Sequence, residues 1–214
     1  LDKCAIRPQD EAMARMSPAD RRAAIVDATL QVMLRKGLAG TTVRDIAEQL
    51  DCSSGLVHHY FESMDDLLAE AFAQAAAADL ASARAAAERG EDPIDRLRRF
   101  IASYSRADED WSFQLWLDAW SEAVRRPAVG RTSRRLNEQW HSLLVELITA
   151  ARDASLLVCA DPVTTAWTLL SLLDGLALQA VAHPGTIDRR SVIAWTSAIA
   201  ERELGLPAES LLAS

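Results

Sequence analysis

Twenty residues, Thr42–Phe61 (TVRDIAEQLDCSSGLVHHYF), restrict the fold more than any other stretch of the chain. Val43, Ile46, Ala47 and Leu50 recur at helical spacing and leave Arg44, Glu48 and Gln49 for solvent. Thr42 followed by Asp45 is a helix cap backed by an acid placed to meet the orphan amides. Asp51-Cys52-Ser53-Ser54 is too short and polar to prolong that helix, and Ser53 is suited to cap the next one. Two short helices across a tight turn form a helix–turn–helix, whose second helix is of a size that enters a DNA major groove. Helical hairpins that touch no nucleic acid share this pattern, so pattern alone leaves a DNA-binding module and a plain scaffold both open.

The rest of the chain points to helices. Half of its 214 residues are apolar, with only 8 glycines and 7 prolines, and alanine-rich runs fill 71–89. No stretch alternates as a strand does. The apolar run Val163–Val181 contains Asp174 and several Thr, Ser and Gln residues, so it reads as a buried or interfacial helix and not a membrane span. With no basic-then-apolar leader at the start of the sequence, the expected location is cytoplasmic. Cys4, Cys52 and Cys159 lie far apart, His58-His59 point differently on a helix, and His141 and His183 have no matching spacing, so neither a disulfide framework nor a metal site is expected. Phosphate-binding glycine loops and the common nucleophile and zinc-hydrolase signatures are absent, and no catalytic residues or cofactor are assigned. The net charge is −8, but acidic and basic residues balance over 1–61, so the deficit lies in the remainder. A neutral head with local basic clusters can still bind phosphate, because the local field governs the contact.

Capping signals divide the chain into about nine helices. Residues 1–16 lack a core pattern and read as a loose arm. Ser17-Pro18-Ala19-Asp20 opens a helix to about Lys36, with Ile25, Ala28, Thr29, Val32 and Met33 inward and Gly37 as the stop. Ser63 with Asp66 opens another, to about Arg89, and Asp92-Pro93 opens one over 93–106. An aromatic helix over 109–125 carries Trp111, Phe113, Trp116 and Trp120. Helices follow over 128–151, from Asp161-Pro162 through Ala182, and from Thr186 through about Leu204. The eighth has Leu169, Leu172, Leu173 and Leu176 on one side and Trp167, Leu170, Asp174 and Ala177 toward another; the ninth brings Val192, Ile193, Trp195, Thr196 and Ile199. Helices apolar on two sides are buried on two sides, which implies a homodimer through helices 8 and 9, with a densely buried monomer core as the alternative.

Thr42-x-Arg44-x-Ile46-Ala47, Ser53-x-Gly55-x-Val57-x-x-Tyr60-Phe61 and Ser63-x-x-x-Leu67 together closely resemble the DNA-binding head of TetR-family transcriptional regulators. The resemblance covers roughly residues 20–70, including the Arg22–Gly37 helix. Leu115–Pro127 followed by Asp174-Gly175-Leu176 also looks like the choline-responsive BetI branch. Departures exist: Asp51 replaces the usual turn glycine, His58 an aromatic, and Met64 a lysine whose phosphate contact a thioether cannot make. The resemblance implies an all-α protein with a three-helix head at 17–62 and a helical effector-binding and dimerisation domain at 63–204. It implies a cytoplasmic homodimeric repressor of a palindromic operator in double-stranded DNA, released by a small molecule. A helical enzyme and an interaction module without specific DNA binding are the competing readings.

Under this resemblance the second helix of the motif reads DNA. Its candidate contacts are Ser53, Ser54, Gly55, Leu56, His58, His59 and Tyr60, supported by Thr41, Thr42 and Arg44; Leu56 suits a thymine methyl. The candidate effector pocket comprises Phe113, Trp116 and Trp120 with Tyr104, Trp140 and Trp167, acidic partners Asp118 and Asp174, and polar partners Asn137 and His141. Aromatic faces with a carboxylate suit an organic cation, and the same residues also accommodate an uncharged hydrophobic compound.

Overall fold

The computed structural model describes residues 16–104 and 110–212. Among these residues it is all helix and turn: α1 (Pro18–Lys36), α2 (Val43–Leu50), α3 (Ser54–Tyr60), α4 (Met64–Glu88), α5 (Pro93–Ser103), α6 (Asp110–Glu122), α7 (Pro127–Asp153), α8 (Pro162–Ala182) and α9 (Arg189–Glu203). The expected N-terminal arm with Cys4, and the junction between the fifth and sixth helices, lie outside the described residues.

The caps read from the sequence are formed. Thr42 Oγ1 accepts the Asp45 amide (3.3 Å) while Asp45 Oδ2 accepts the Thr42 amide (3.1 Å), a reciprocal capping box. A hydrogen bond from Lys36, with those from Thr42, holds the Asp45 carboxyl down to about 2. Ser53, Ser63, Asp92 and Asp161 cap the helices that follow them. Asp51 ends α2 in the left-handed region (φ 49°, ψ 48°), which aspartate tolerates better than most side chains.

Three boundaries differ from expectation by three residues. The helix expected over 93–106 ends at Ser103, where the Tyr104 amide closes a tighter turn on the Ile101 carbonyl. The aromatic helix stops at Glu122 instead of 125, because the Arg125 and Arg126 amides fold back onto the Glu122 carbonyl and Pro127 disfavours helix in its predecessor. The ninth helix starts at Arg189. Its cap is Asp188, whose Oδ1 accepts the Ser191 amide at 2.6 Å, whereas the Thr186 amide is spent in a turn on His183.

Contacts divide the chain into two compact units. The first runs through Ala75 and includes Leu115–Ser133; it therefore contains 17–62, the start of α4 and much of α6. Ile25, Val32, Met33, Leu38, Ile46, Val57, Leu67, Leu68 and Phe72 form its core. α1 packs on α2 and α2 on α3. Arg22 pairs with Glu70, tying α1 to α4.

The second unit comprises Ala76–Gln114 and the chain from Arg134 onward. Leu97, Phe100, Leu136, Leu143, Leu144, Ile148, Leu169, Leu173 and Val192 fill it, with α9 packed on α8 and α5. Residues beyond α9 fold back: Glu201 accepts the amides of Leu211 (2.8 Å) and Glu209 (3.0 Å). On α8 the inward face is Ala166, Leu169, Leu170, Leu173 and Ala177, as the 3.6-residue period requires; Leu172 and Leu176 turn partly outward. By length and composition α8 could cross a membrane, yet only 28% of its most apolar stretch is buried in the protomer. Trp167 (38%) and Trp195 on α9 (51%) are exposed.

The corner between α1 and α2 depends on Gly37. Its φ of 75° with ψ of 161° is a conformation that essentially only glycine adopts, and an added Cβ would lie 3.0 Å from Asp118 Oδ2. Gly37→Ala is expected to lower unfolding free energy by about 1–3 kcal/mol. Urea melts of the two proteins measure this, and equal midpoints with equal slopes would refute it.

Candidate nucleic-acid interface and ligand site

α3 presents a solvent-facing surface on a fixed base. Val57 is buried to 1% exposure and Phe61, just after the helix, to 6%, while Ser53, Ser54, Gly55, His58 and His59 are exposed and Leu56 and Tyr60 half-buried. Arg21 donates to the Tyr60 hydroxyl at 2.9 Å, and the Arg22 guanidinium lies 4.5 Å over the Phe61 ring. Arg21 and Arg22, at the start of α1, thus brace the end of α3. Arg44 is exposed and pairs with Glu48 at 2.8 Å. Thr42 caps α2 and is exposed. Thr41 is buried, its hydroxyl donating to the Gly37 carbonyl at 2.8 Å, so it supports the corner instead of facing outward. Gly55 has ordinary van der Waals space where a side chain would start, its nearest neighbour being Ser53 Oγ at 3.8 Å.

The aromatic candidates other than Trp167 form two groups, one in each unit. In the second unit Tyr104 lies 5.9 Å from Phe113, 5.7 Å from Trp140 and 6.0 Å from Phe100, ring centre to ring centre. Tyr104 and Asp174 hydrogen-bond through their side chains. Burial pushes the Asp174 carboxyl up to about 7, against the opposing pull of the Tyr104 hydroxyl. Burial also raises Tyr104 well above the usual phenol range, aided by the charges of Asp174 and Asp79. Three further residues join this cluster that the sequence had not singled out. Asp79 on α4 accepts a hydrogen bond from Ser112, and Arg189 donates to the Tyr104 carbonyl (3.3 Å) with its guanidinium 5.4 Å over Phe113. Rings, two carboxylates and a guanidinium thus share one site, with aromatic faces and negative charge suited to a cationic group.

In the first unit Trp116 packs edge-on against Phe72 at 5.0 Å and lies 5.7 Å from Trp120. Asp118 Oδ2 accepts the Leu38 amide at 3.1 Å. Elsewhere in the second unit His141 stacks on Trp167, centroids 4.1 Å apart, and its Nε2 donates to the Val163 carbonyl at 2.9 Å; Asn137 is half-buried on α7. No group of three or more metal-ligating side chains occurs among the described residues.

Residues 25–71 match the family model described as bacterial regulatory proteins, tetR family, and residues 93–205 match that of the BetI-type transcriptional repressor, C-terminal. The HTH-type transcriptional regulator BetI of Burkholderia cenocepacia (strain HI2424) is 35% identical over 180 residues, 81% of this chain and 88% of the relative. A transcriptional regulator structure from Pseudomonas aeruginosa PAO1 aligns with TM-score 0.76 at 27% identity, over 89% of this chain and 93% of the other. A transcriptional regulator from Saccharomonospora viridis, solved in complex with choline, aligns with TM-score 0.78 at 20% identity over 87% and 98%; at that identity the likeness is one of fold.

The raised Asp174 carboxyl has a signed consequence. The unfolded chain releases this proton near its ordinary 3.8, the folded one only near 7, so stability from this group is full below 3.8 and is lost as pH rises through about 7. Between about pH 5 and about pH 8, wild type is expected to lose stability relative to Asp174→Asn, the gap levelling above 7. Paired thermal melts across that range measure it, and a gap independent of pH would contradict the assignment.

Proposed function

The chain belongs to the TetR family of bacterial regulatory proteins, with a BetI-type C-terminal region, and is a DNA-binding transcription regulator rather than an enzyme; from that premise we propose that it is a cytoplasmic homodimeric repressor whose hold on a palindromic operator is released by a small organic cation. The observation that carries the reading is α3: a short helix with Ser54, His58 and His59 exposed together, braced from behind by Val57, Phe61 and the Arg21–Tyr60 hydrogen bond. Ser53, Ser54, Gly55, Leu56, His58, His59 and Tyr60 form the DNA surface, with Thr42 and Arg44 beside it and Thr41 acting through the corner. Paired heads then read half-sites roughly 34–36 Å apart. Residues 17–62 serve as the DNA-binding domain and 63–204 as the effector and dimerisation domain.

Dimerisation through α8 and α9 is supported by their outward apolar surface, where Trp167 and Trp195 are exposed and Leu172 and Leu176 half-buried. A membrane is a poorer partner for α8, since Thr164, Thr168, Ser171 and Gln179 lie on the same exposed side. The effector reading is supported by Tyr104, Phe113 and Trp140 beside Asp174 and Asp79, and by the choline seen in the Saccharomonospora viridis regulator. Of the other ligand candidates, Trp116, Trp120 and Asp118 pack within the first unit, and His141 and Trp167 stack on each other in the second.

The test is selection of bound sequences from random duplex DNA, followed by titration with choline. Wild type is expected to enrich an inverted repeat, sediment as a dimer and lose DNA affinity as choline is added. His59→Ala should remain dimeric and bind the enriched repeat about tenfold more weakly, the scale of one base contact; unchanged affinity would remove His59 from the reader. Tryptophan fluorescence should report choline binding that weakens about tenfold in Tyr104→Ala. Undiminished choline binding there would place the cation elsewhere, and no binding to wild type would favour an uncharged effector.

A further inference from the structure

Asp118 stands on α6 five residues beyond Phe113, yet its carboxylate serves the corner between α1 and α2. Oδ2 accepts the amide of Leu38, a residue 80 positions earlier and fully buried. The neighbouring Gly37 has just ended α1, with its own amide on the Met33 carbonyl at 2.8 Å. Gly37 leaves room for the carboxylate, since any side chain there would begin 3.0 Å from the same oxygen. Its carbonyl is taken by Thr41 Oγ1 at 2.8 Å, and the next residue, Thr42, caps α2. Three backbone groups between the last turn of α1 and the first of α2 are thus committed: Gly37 N–H to α1, Gly37 C=O to Thr41, Leu38 N–H to α6.

We propose that Asp118 is a positioning residue for the DNA reader, holding the α1–α2 corner, and through it α2 and α3, from α6. The proposal rests on the reading of α3 as the DNA surface. A buried amide has no water to replace a lost acceptor, so withdrawing Asp118 leaves the Leu38 N–H unsatisfied or forces the corner to move. The bond is charge-assisted and therefore stronger than a neutral one. It is also short-ranged: at 3.1 Å, a displacement of α6 by about half an ångström carries it past the limit of a normal hydrogen bond.

Full-length wild type, Asp118→Asn and Asp118→Ala are compared on the inverted repeat enriched by wild type, with amide hydrogen exchange followed over residues 36–42. Asp118→Ala is expected to bind the repeat about tenfold more weakly and to exchange Leu38 faster, while Asp118→Asn, whose amide oxygen still accepts, stays within about threefold of wild type. Sedimentation should show an unchanged oligomer in both variants, which separates loss of positioning from loss of assembly. Asp118→Ala binding within twofold of wild type with unchanged Leu38 exchange would overturn the proposal. So would equal impairment of both variants, because the acceptor survives in one of them. Should wild type enrich no DNA, the reader assignment of α3 falls, and Leu38 exchange alone still decides whether Asp118 holds the corner.

Discussion

A helix of seven residues cannot hold itself together in water, and α3 is such a helix. Everything about its orientation is imposed by what lies behind it. Val57 enters the core of the first unit, Phe61 follows it beneath the Arg22 guanidinium, and Arg21 takes the Tyr60 hydroxyl. Since α3 packs on α2 and α2 on α1, the angle of the exposed face is set by two corners. Gly37 and Leu38 make one; Asp51, in a left-handed conformation, makes the other. That Asp51 occupies a position where glycine is usual costs some strain, which its side chain tolerates.

The aromatic cluster of the second unit shows a different economy. Asp174 lies on an otherwise apolar helix, and removing its carboxyl from water raises its pKa to about 7. Such a group is worse for stability than leucine at neutral pH, and the Tyr104 hydroxyl offsets only part of that cost. A buried acid at this cost is often a functional one. Here a cation would recover what folding loses, by supplying the countercharge that the packed rings do not.

Nearly all of the helical order was legible in the sequence, because caps and stops are local chemistry. Ser17-Pro18, Thr42 with Asp45, Ser53, Asp92-Pro93 and Asp161-Pro162 each start a helix where their short polar side chains reach amides two or three residues on. The helix over Arg189–Glu203 was misplaced at its start because Thr186 and Asp188 are both capable caps, and only the backbone path chooses between them. The two-sided pattern on α8 was legible as a pattern, but assigning Leu170 and Ala177 inward and Leu172 and Leu176 outward required the packed neighbours.

The sequence by itself determined the helix–turn–helix, the all-helical class and the presence of Tyr104, Phe113, Trp140 and Asp174 as ligand candidates. Tertiary structure alone decided that Asp79, Ser112 and Arg189 join those rings, that Thr41 turns inward, and that Asp118 reaches Leu38. The reason is the range of the forces involved. Capping and amphipathic periodicity act over one or two turns and leave a signature in neighbouring residues, whereas a hydrogen bond spanning 80 positions leaves none until the chain has folded around it.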